Sequence, residues 1–377
     1  MKKSISFLLS FLFLFFFTGL SLSSLAQQPV EKIPSAKEEE EWNSAADDED
    51  ILTKIPAAEK AKATEHAQAI LAYTLKAVLN RSDPAKYPLN NAEKSPQTTI
   101  LASLQRLPPY TFNKMKEKAN LLLSDATKRA AVLGKFKDLD FKKKSIDSDI
   151  QKIRPVKFNP TLIKGKDASS LNYTGNNYAG MPGTSQSVVN DKNSFSKMDF
   201  VLRAIRCLDE TNPESGDDDI VIGGLKIGCS GNSSHGYSAV SCHFDDGDYC
   251  DHGHIPLGGY NLSSCSGYPK TFYFIIQLLE VDSDEREAAQ ALEDIMAIAA
   301  EALQGTGYGE AIAYVAQAVE VLSGWLFDDD AFHPYGATTT LYSQNSFGSD
   351  GRSSYRRAVI SDHGGSYRVG YQWQLRN

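Results

Sequence analysis

The first 206 residues of this 377-residue chain contain no cysteine, and Cys207, Cys229, Cys242, Cys250 and Cys265 all follow. Any disulfide framework is therefore confined to the second half. Basic residues are also in deficit, 39 Lys and Arg against 47 Asp and Glu. Such a balance excludes general nucleic-acid binding, which needs Lys and Arg to neutralise phosphates. No stretch after Leu20 is long and uncharged enough to span a bilayer. Catalytic signatures are missing too. There is no G-x-S-x-G nucleophile elbow, no G-x-x-x-x-G-K phosphate loop, no H-E-x-x-H zinc helix and no Cys-x-x-Cys pair.

What is present begins with an export signal. Lys2 and Lys3 precede an apolar run from Ile5 to Leu20, and Ser24-Leu25-Ala26 supplies small residues for cleavage after Ala26. Residues 1–26 are thus expected to be a signal peptide, and losing Lys2 and Lys3 takes the formal charge from −8 to −10. The expected location is secreted or periplasmic. No cysteine lies near the cut, which argues against a lipid-modified N-terminus. In an oxidising compartment five cysteines imply two disulfides and one thiol left over, in any of fifteen arrangements. Cys207 is the expected free thiol, because it sits in the apolar run Phe200–Leu208 while the others occupy Gly/Ser/Asp-rich sequence.

Residues 27–55 are charged and poor in apolar side chains, which reads as a disordered tether. From 56 to 151 the pattern is helical. Ala67, Ile70, Leu71, Thr74, Leu75, Val78 and Leu79 recur at three and four residues within 56–81, and further helices are expected at 97–106 and 109–134. A helical hairpin or small bundle would bury these stripes against one another. His66 lies beside the first stripe without a second ligand-type residue near it and reads as structural. Residues 152–198, rich in Pro, Gly, Asn, Ser and Lys, read as a linker.

The remaining module, 199–377, shows β-rich runs at 200–208, 220–228, 271–281, 337–342, 357–360 and 367–375. In the last, Tyr367, Val369, Tyr371, Trp373 and Leu375 alternate with Arg368, Gly370, Gln372 and Gln374, the pattern of a half-buried antiparallel strand. Helical spacing returns at 285–303 and 310–327 around Gly305–Gly309, giving an α-hairpin. The expected fold is therefore a multidomain α+β chain: an N-terminal helical hairpin or small bundle, then an antiparallel β-sandwich with the α-hairpin 285–327 inserted.

Acidic clusters stand where the apolar runs stop: 209–219, 280–284 and 328–330. Two carboxylates about 4 Å apart repel by about 4 kcal/mol at an effective dielectric near 20, so such loops either splay into solvent or hold a cation. Calcium, with six to eight oxygen ligands, is the expected ion, and the candidate ligands are Asp209, Asp217, Asp219, Asp282, Asp284 and Asp328. Solvated acidic turns are the competing reading, since no segment, Asp245–Asp248 included, fits the D-x-[DN]-x-[DN]-G spacing. Cys242-His243, Cys250, His252 and His254 form a second concentration of ligand types. Zinc would suit them, although export favours disulfides for the thiols. His252 and His254 are spaced to share a strand face, and His363 reads as a turn residue.

The runs Cys207–Glu214, Asp217–Gly224, Phe244–Asp248 and His363–Trp373 resemble a module that recurs in secreted bacterial proteins without an assigned activity. More loosely, the region is similar to C2 domains, β-sandwiches whose acidic rim loops bind calcium and dock on lipid headgroups. That likeness implies one such loop at Asp209 and Asp217–Asp219 and another at Asp282, Asp284 and Asp328–Asp330, with the α-hairpin as an insertion. The expected function is a secreted, non-enzymatic binding or adhesion module, calcium-stabilised, for a protein or glycan ligand at a surface. Two alternatives remain: a membrane-active protein inserting the hairpin, whose Glu293, Asp294, Glu301, Glu310 and Glu320 make that costly, or a metal-dependent hydrolase using His252 and His254.

Overall fold

The structure is a computed structural model, and it describes residues 36–90, 96–153, 195–211, 217–281, 285–306 and 312–377. The expected signal peptide, most of the expected linker, Asp282 and Asp284 lie outside these residues. The described chain is mixed α/β, with eight α-helices and two sheets.

Sheet A has the order β1-β9-β10-β2-β6, built from β1 (Ala46–Asp47), β9 (Arg356–Asp362), β10 (Gly365–Arg376), β2 (Lys197–Asp209) and β6 (Tyr249–Asn261). Sheet B has the order β4-β3-β7-β8, from β4 (Ser233–His235), β3 (Asp218–Ile227), β7 (Lys270–Glu280) and β8 (Tyr335–Leu341), and β5 (Ala239–Phe244) also pairs with β3. All pairings are antiparallel except that of the short β1 with β9. The alternation read in β10 is realised: Tyr367, Val369, Tyr371, Trp373 and Leu375 are all buried in one apolar cluster, while Arg368 and Gln374 stay partly exposed.

That cluster draws on both sheets. Phe200, Leu202 and Ile205 of β2 join Ile220 and Ile222 of β3 and Phe272, Phe274, Ile276 and Leu278 of β7, with Phe200 stacked on Phe274 at 4.2 Å. The opposite faces of β3 and β7 are buried as well. Val221, Leu225, Ile227, Ile275 and Leu279 belong to a second cluster made with the helices, which is why β7 reads as a continuous apolar run rather than an alternation.

Between β7 and β8 the chain forms α7 (Glu285–Thr306) and α8 (Ile312–Phe327), whose apolar faces lie on sheet B. Over them pack α2 (Ala57–Ser82), α3 (Pro96–Leu104) and α4 (Pro109–Ser124), contributing Ile70, Leu75, Leu79, Ile100, Met115 and Ala119 to the same cluster. The helix expected over 109–134 is two: Asp125 caps α5 (Ala126–Leu133), its side chain accepting from Thr127 N and Lys128 N. That cap satisfies amides which a continuous helix would have bonded internally. A short α6 (Asp147–Ile153) follows. Among the described residues no helix is long and apolar enough to cross a membrane.

Residues 36–54 differ from the tether their composition suggests. They form α1 (Ala36–Ser44), β1 and a 3-10 turn at Ile51–Lys54 capped by Asp50. Trp42 is 1% exposed and lies edge-on to Tyr249 and Tyr355 at 5.3 and 6.0 Å. One large ring anchors a segment that its acidic neighbours would leave in solvent. Gly370 of β10 makes room for it, since a Cβ there would meet Trp42 Cζ3 at 2.7 Å.

Candidate functional site

The two disulfides are Cys229–Cys265 and Cys242–Cys250, and Cys207 is free and buried, as its apolar surroundings imply. Burial pushes the Cys207 thiol up to about 11. It is a core residue rather than a nucleophile. Cys242 lies on β5 and Cys250 on β6, so one bridge ties the strand that pairs within sheet B to one that pairs within sheet A.

The turn between those strands carries Asp245–Asp248, and it meets the ends of β2 and β3. Cys207 N donates to Asp248 O at 2.9 Å, Glu210 N to Asp246 Oδ1 at 2.9 Å, and Asp245 N to Asp248 Oδ2 at 3.0 Å. The Asp217 charge raises the Asp245 carboxyl above the usual carboxylate range, helped by loss of solvent and by Asp248 and Asp246. Glu210 is raised as well, by loss of solvent first and then by Asp246, Asp218, Asp245 and Asp217. This end of the molecule is an acidic rim.

The candidate ligands do not all take part in it. Asp217 does, facing Asp245. Asp209 stands at the edge, paired in register with Ser366. Asp219 turns to His243, with which it forms an ion pair when the imidazole is protonated. Burial raises the Asp219 carboxyl and the His243 charge opposes that. Asp328 pairs with Lys118 of α4, and Asp328 and Asp330 both act on the neighbouring Lys114. The cluster at 328–330 is thus met by helix lysines. Among the described residues, no three Asp, Glu, His or Cys side chains converge closely enough to hold a metal ion without further ligands.

Asp218, inside the same run, has a structural task. It is 3% exposed and accepts from Thr211 N and Thr211 Oγ1, each at 2.7 Å, and from the Tyr367 hydroxyl. Fixing the carboxylate in this way ties β3, β10 and the chain after β2 together beneath the rim.

His252 and His254 do not share a face. Gly253 between them has φ +62°, a left-handed conformation that breaks the alternation, so His252 is buried and His254 exposed. His252 Nε2 and Ser241 Oγ share a hydrogen bond of 3.0 Å, while His252 Nδ1 is buried with no partner. Burial drives the imidazole down to about 4. A serine and histidine in contact invite a nucleophile reading, but both are at least 92% buried and no carboxylate orients Nδ1. The pair joins β5 to β6 just inside the Cys242–Cys250 bridge. His66 is also buried, edge-on to Tyr314 at 5.4 Å.

The second site was not legible in the sequence. β1 and the end of α1 lie along β9 and β10, enclosing a cleft of about 450 Å³ lined by Asp48, Ser353, Ser354, Tyr355, Arg356 and Gln372 together with Ser44–Ala46. Asp48 Oδ2 accepts from Arg356 Nη1 at 3.1 Å and from the Tyr371 hydroxyl. Next to it Asp47 pairs with Arg357 at 2.9 Å and Arg368 at 3.4 Å. The one usable signal was Trp42, a lone aromatic in an acidic stretch.

Comparison with known proteins yields no match: no family model, no curated protein and no solved structure aligns with this chain.

Proposed function

We propose that this chain is a secreted, non-enzymatic binding module, in which the two sheets face one another as a β-sandwich and the acidic rim recruits calcium. The carrying observation is that Asp217 faces Asp245 and raises its carboxyl, with Glu210, Asp246 and Asp248 beside them. A divalent cation relieves that repulsion. With no closed set of three side chains, the ion would be held by a few carboxylates plus backbone and water oxygens. That arrangement fits the weak affinities of extracellular calcium modules, about 10⁻⁴ to 10⁻³ M.

The sandwich reading is supported by the shared apolar cluster, to which both sheets contribute. Export is supported by two disulfides, which form and persist chiefly in oxidising compartments. Acidic loops at a sandwich rim are also the feature that motivated the C2 likeness.

The test is thermal melting of the disulfide-intact chain in 1 mM calcium and in EGTA. At a dissociation constant of ~10⁻⁴ M, calcium adds about 1.4 kcal/mol, or roughly 3–5 °C in Tm. Superimposed curves would remove calcium from the proposal.

A further inference from the structure

We propose that the cleft between the α1–β1 segment and β9–β10 binds a neutral saccharide unit of a glycan. This deepens the reading of the chain as a binding module and rests on it, but not on the calcium rim. The volume of about 450 Å³ falls within the roughly 300–1,000 Å³ of small-molecule sites.

The chemistry of the walls selects the ligand. Asp48 is an acceptor only and Arg356 a donor only, and their charges offset one another at 3.1 Å. A free anion would face the Asp48 carboxylate, a cation would face the guanidinium, and an apolar ligand would strip water from both without replacing its hydrogen bonds. Hydroxyl groups avoid all three costs, because each both donates and accepts. The described hydrogen bonds to the Asp48 carboxylate both reach Oδ2, and the side chain is 26% exposed, which leaves Oδ1 to a ligand donor. A pyranose hydroxyl can donate to Oδ1, while Arg356, whose Nη1 also donates to Thr338 O at 3.3 Å, holds the carboxylate in place.

The remaining walls suit the rest of such a ring. Tyr355 adds a half-buried ring to the wall, edge-on to Trp42 and with the Arg203 guanidinium 5.8 Å from its centre. Gln372 is 8% exposed, and its amide is fixed at both ends: Oε1 accepts from Arg203, and Nε2 donates to Ser353 O at 3.2 Å. Ser354 adds an exposed hydroxyl at the mouth.

These groups are held before any ligand arrives. Asp48 N donates to Arg357 O at 2.7 Å, continuing the β1–β9 pairing of Ala46 with Arg356, and Trp42 anchors the segment one turn earlier. A site set in place this way loses little entropy on binding.

The experiment is an array of neutral and acidic oligosaccharides probed with the full chain, disulfides intact. Hits are then measured by calorimetry in calcium and in EGTA. At least one neutral oligosaccharide should bind. Ser354→Trp, which fills the mouth without removing a described hydrogen bond of the Ser354 side chain, should weaken it at least tenfold with the melting curve unchanged. Asp48→Asn should weaken it as well, checked against its own melting curve. Failure to bind any neutral saccharide, binding confined to acidic glycans, or binding untouched by Ser354→Trp each overturns the cleft assignment. Because the calcium shift in Tm is read separately, any of these results leaves the calcium rim to stand or fall by its own measurement.

Discussion

Carboxylates gather at two places in this molecule and meet opposite surroundings. At the cleft, Asp47 faces Arg357 and Arg368, and Asp48 faces Arg356 and the Tyr371 hydroxyl. At the rim, Asp217 faces Asp245, with Asp246, Asp248 and Glu210 alongside. The same side chain therefore serves two ends. Where a guanidinium lies opposite, the carboxylate locks a segment in place; where another carboxylate lies opposite, it stores repulsion that only a cation or a proton relieves.

Removing the anchor of the cleft side should have the largest effect. Trp42→Ala deletes a ring that is 1% exposed and should cost about 3–5 kcal/mol in urea unfolding, with earlier proteolysis near residue 45. A shift below 1 kcal/mol would mean that α1 and β1 are not part of the cooperative unit.

Acid sharpens the comparison next. His252 has its pKa depressed from 6.5 to about 4, so the fold keeps the imidazole neutral while the unfolded chain takes up the proton first. Stability should be full above pH 6.5 and fall as the pH drops towards 4, by up to about 3 kcal/mol. His252→Gln should flatten that slope. The rim works in the other direction: the Asp245 carboxyl is raised, so the folded chain takes up its proton before the unfolded one and gains stability as the pH falls through the raised value. A slope in urea midpoint against pH that is unchanged by His252→Gln would locate the acid sensitivity elsewhere.

The smallest effect belongs to the rim itself. Asp245→Asn removes one of two facing charges, and without calcium it should raise Tm by ~1 °C while reducing the calcium shift. It should also steepen the acid loss, since the opposing titration is gone. A lowered Tm in EGTA would show that Asp245 is held by an attraction rather than set against its neighbours.

Much of the secondary structure was legible because it follows from local period. β10 alternates apolar and polar residues, β3 and β7 are apolar runs of strand length, and α2, α7 and α8 carry stripes at three and four residues. The longest surprise is β6, thirteen residues that contain Gly253, Pro256, Gly258 and Gly259. Its composition argues against a strand, but Gly258 answers a packing need. A Cβ at Gly258 would meet the Phe274 ring at 2.9 Å. The candidate site was half legible. Clustering of carboxylates could be read, but their partners could not, because Lys118 and Asp328 lie 210 positions apart.

The sequence by itself determined the long apolar elements β2, β3, β7, β10, α2, α7 and α8, and which cysteine stays out of the disulfides, since period and local apolarity act over a few residues. Only the tertiary structure decided that Asp48 meets Arg356 across 308 positions, that helices α2–α4 share a core with α7 and α8, and that Asp217 faces Asp245 instead of Asp328. The physical reason is that a charge takes its role from whatever the folded chain brings within a few ångströms of it, and that neighbour is set by packing rather than by order along the chain.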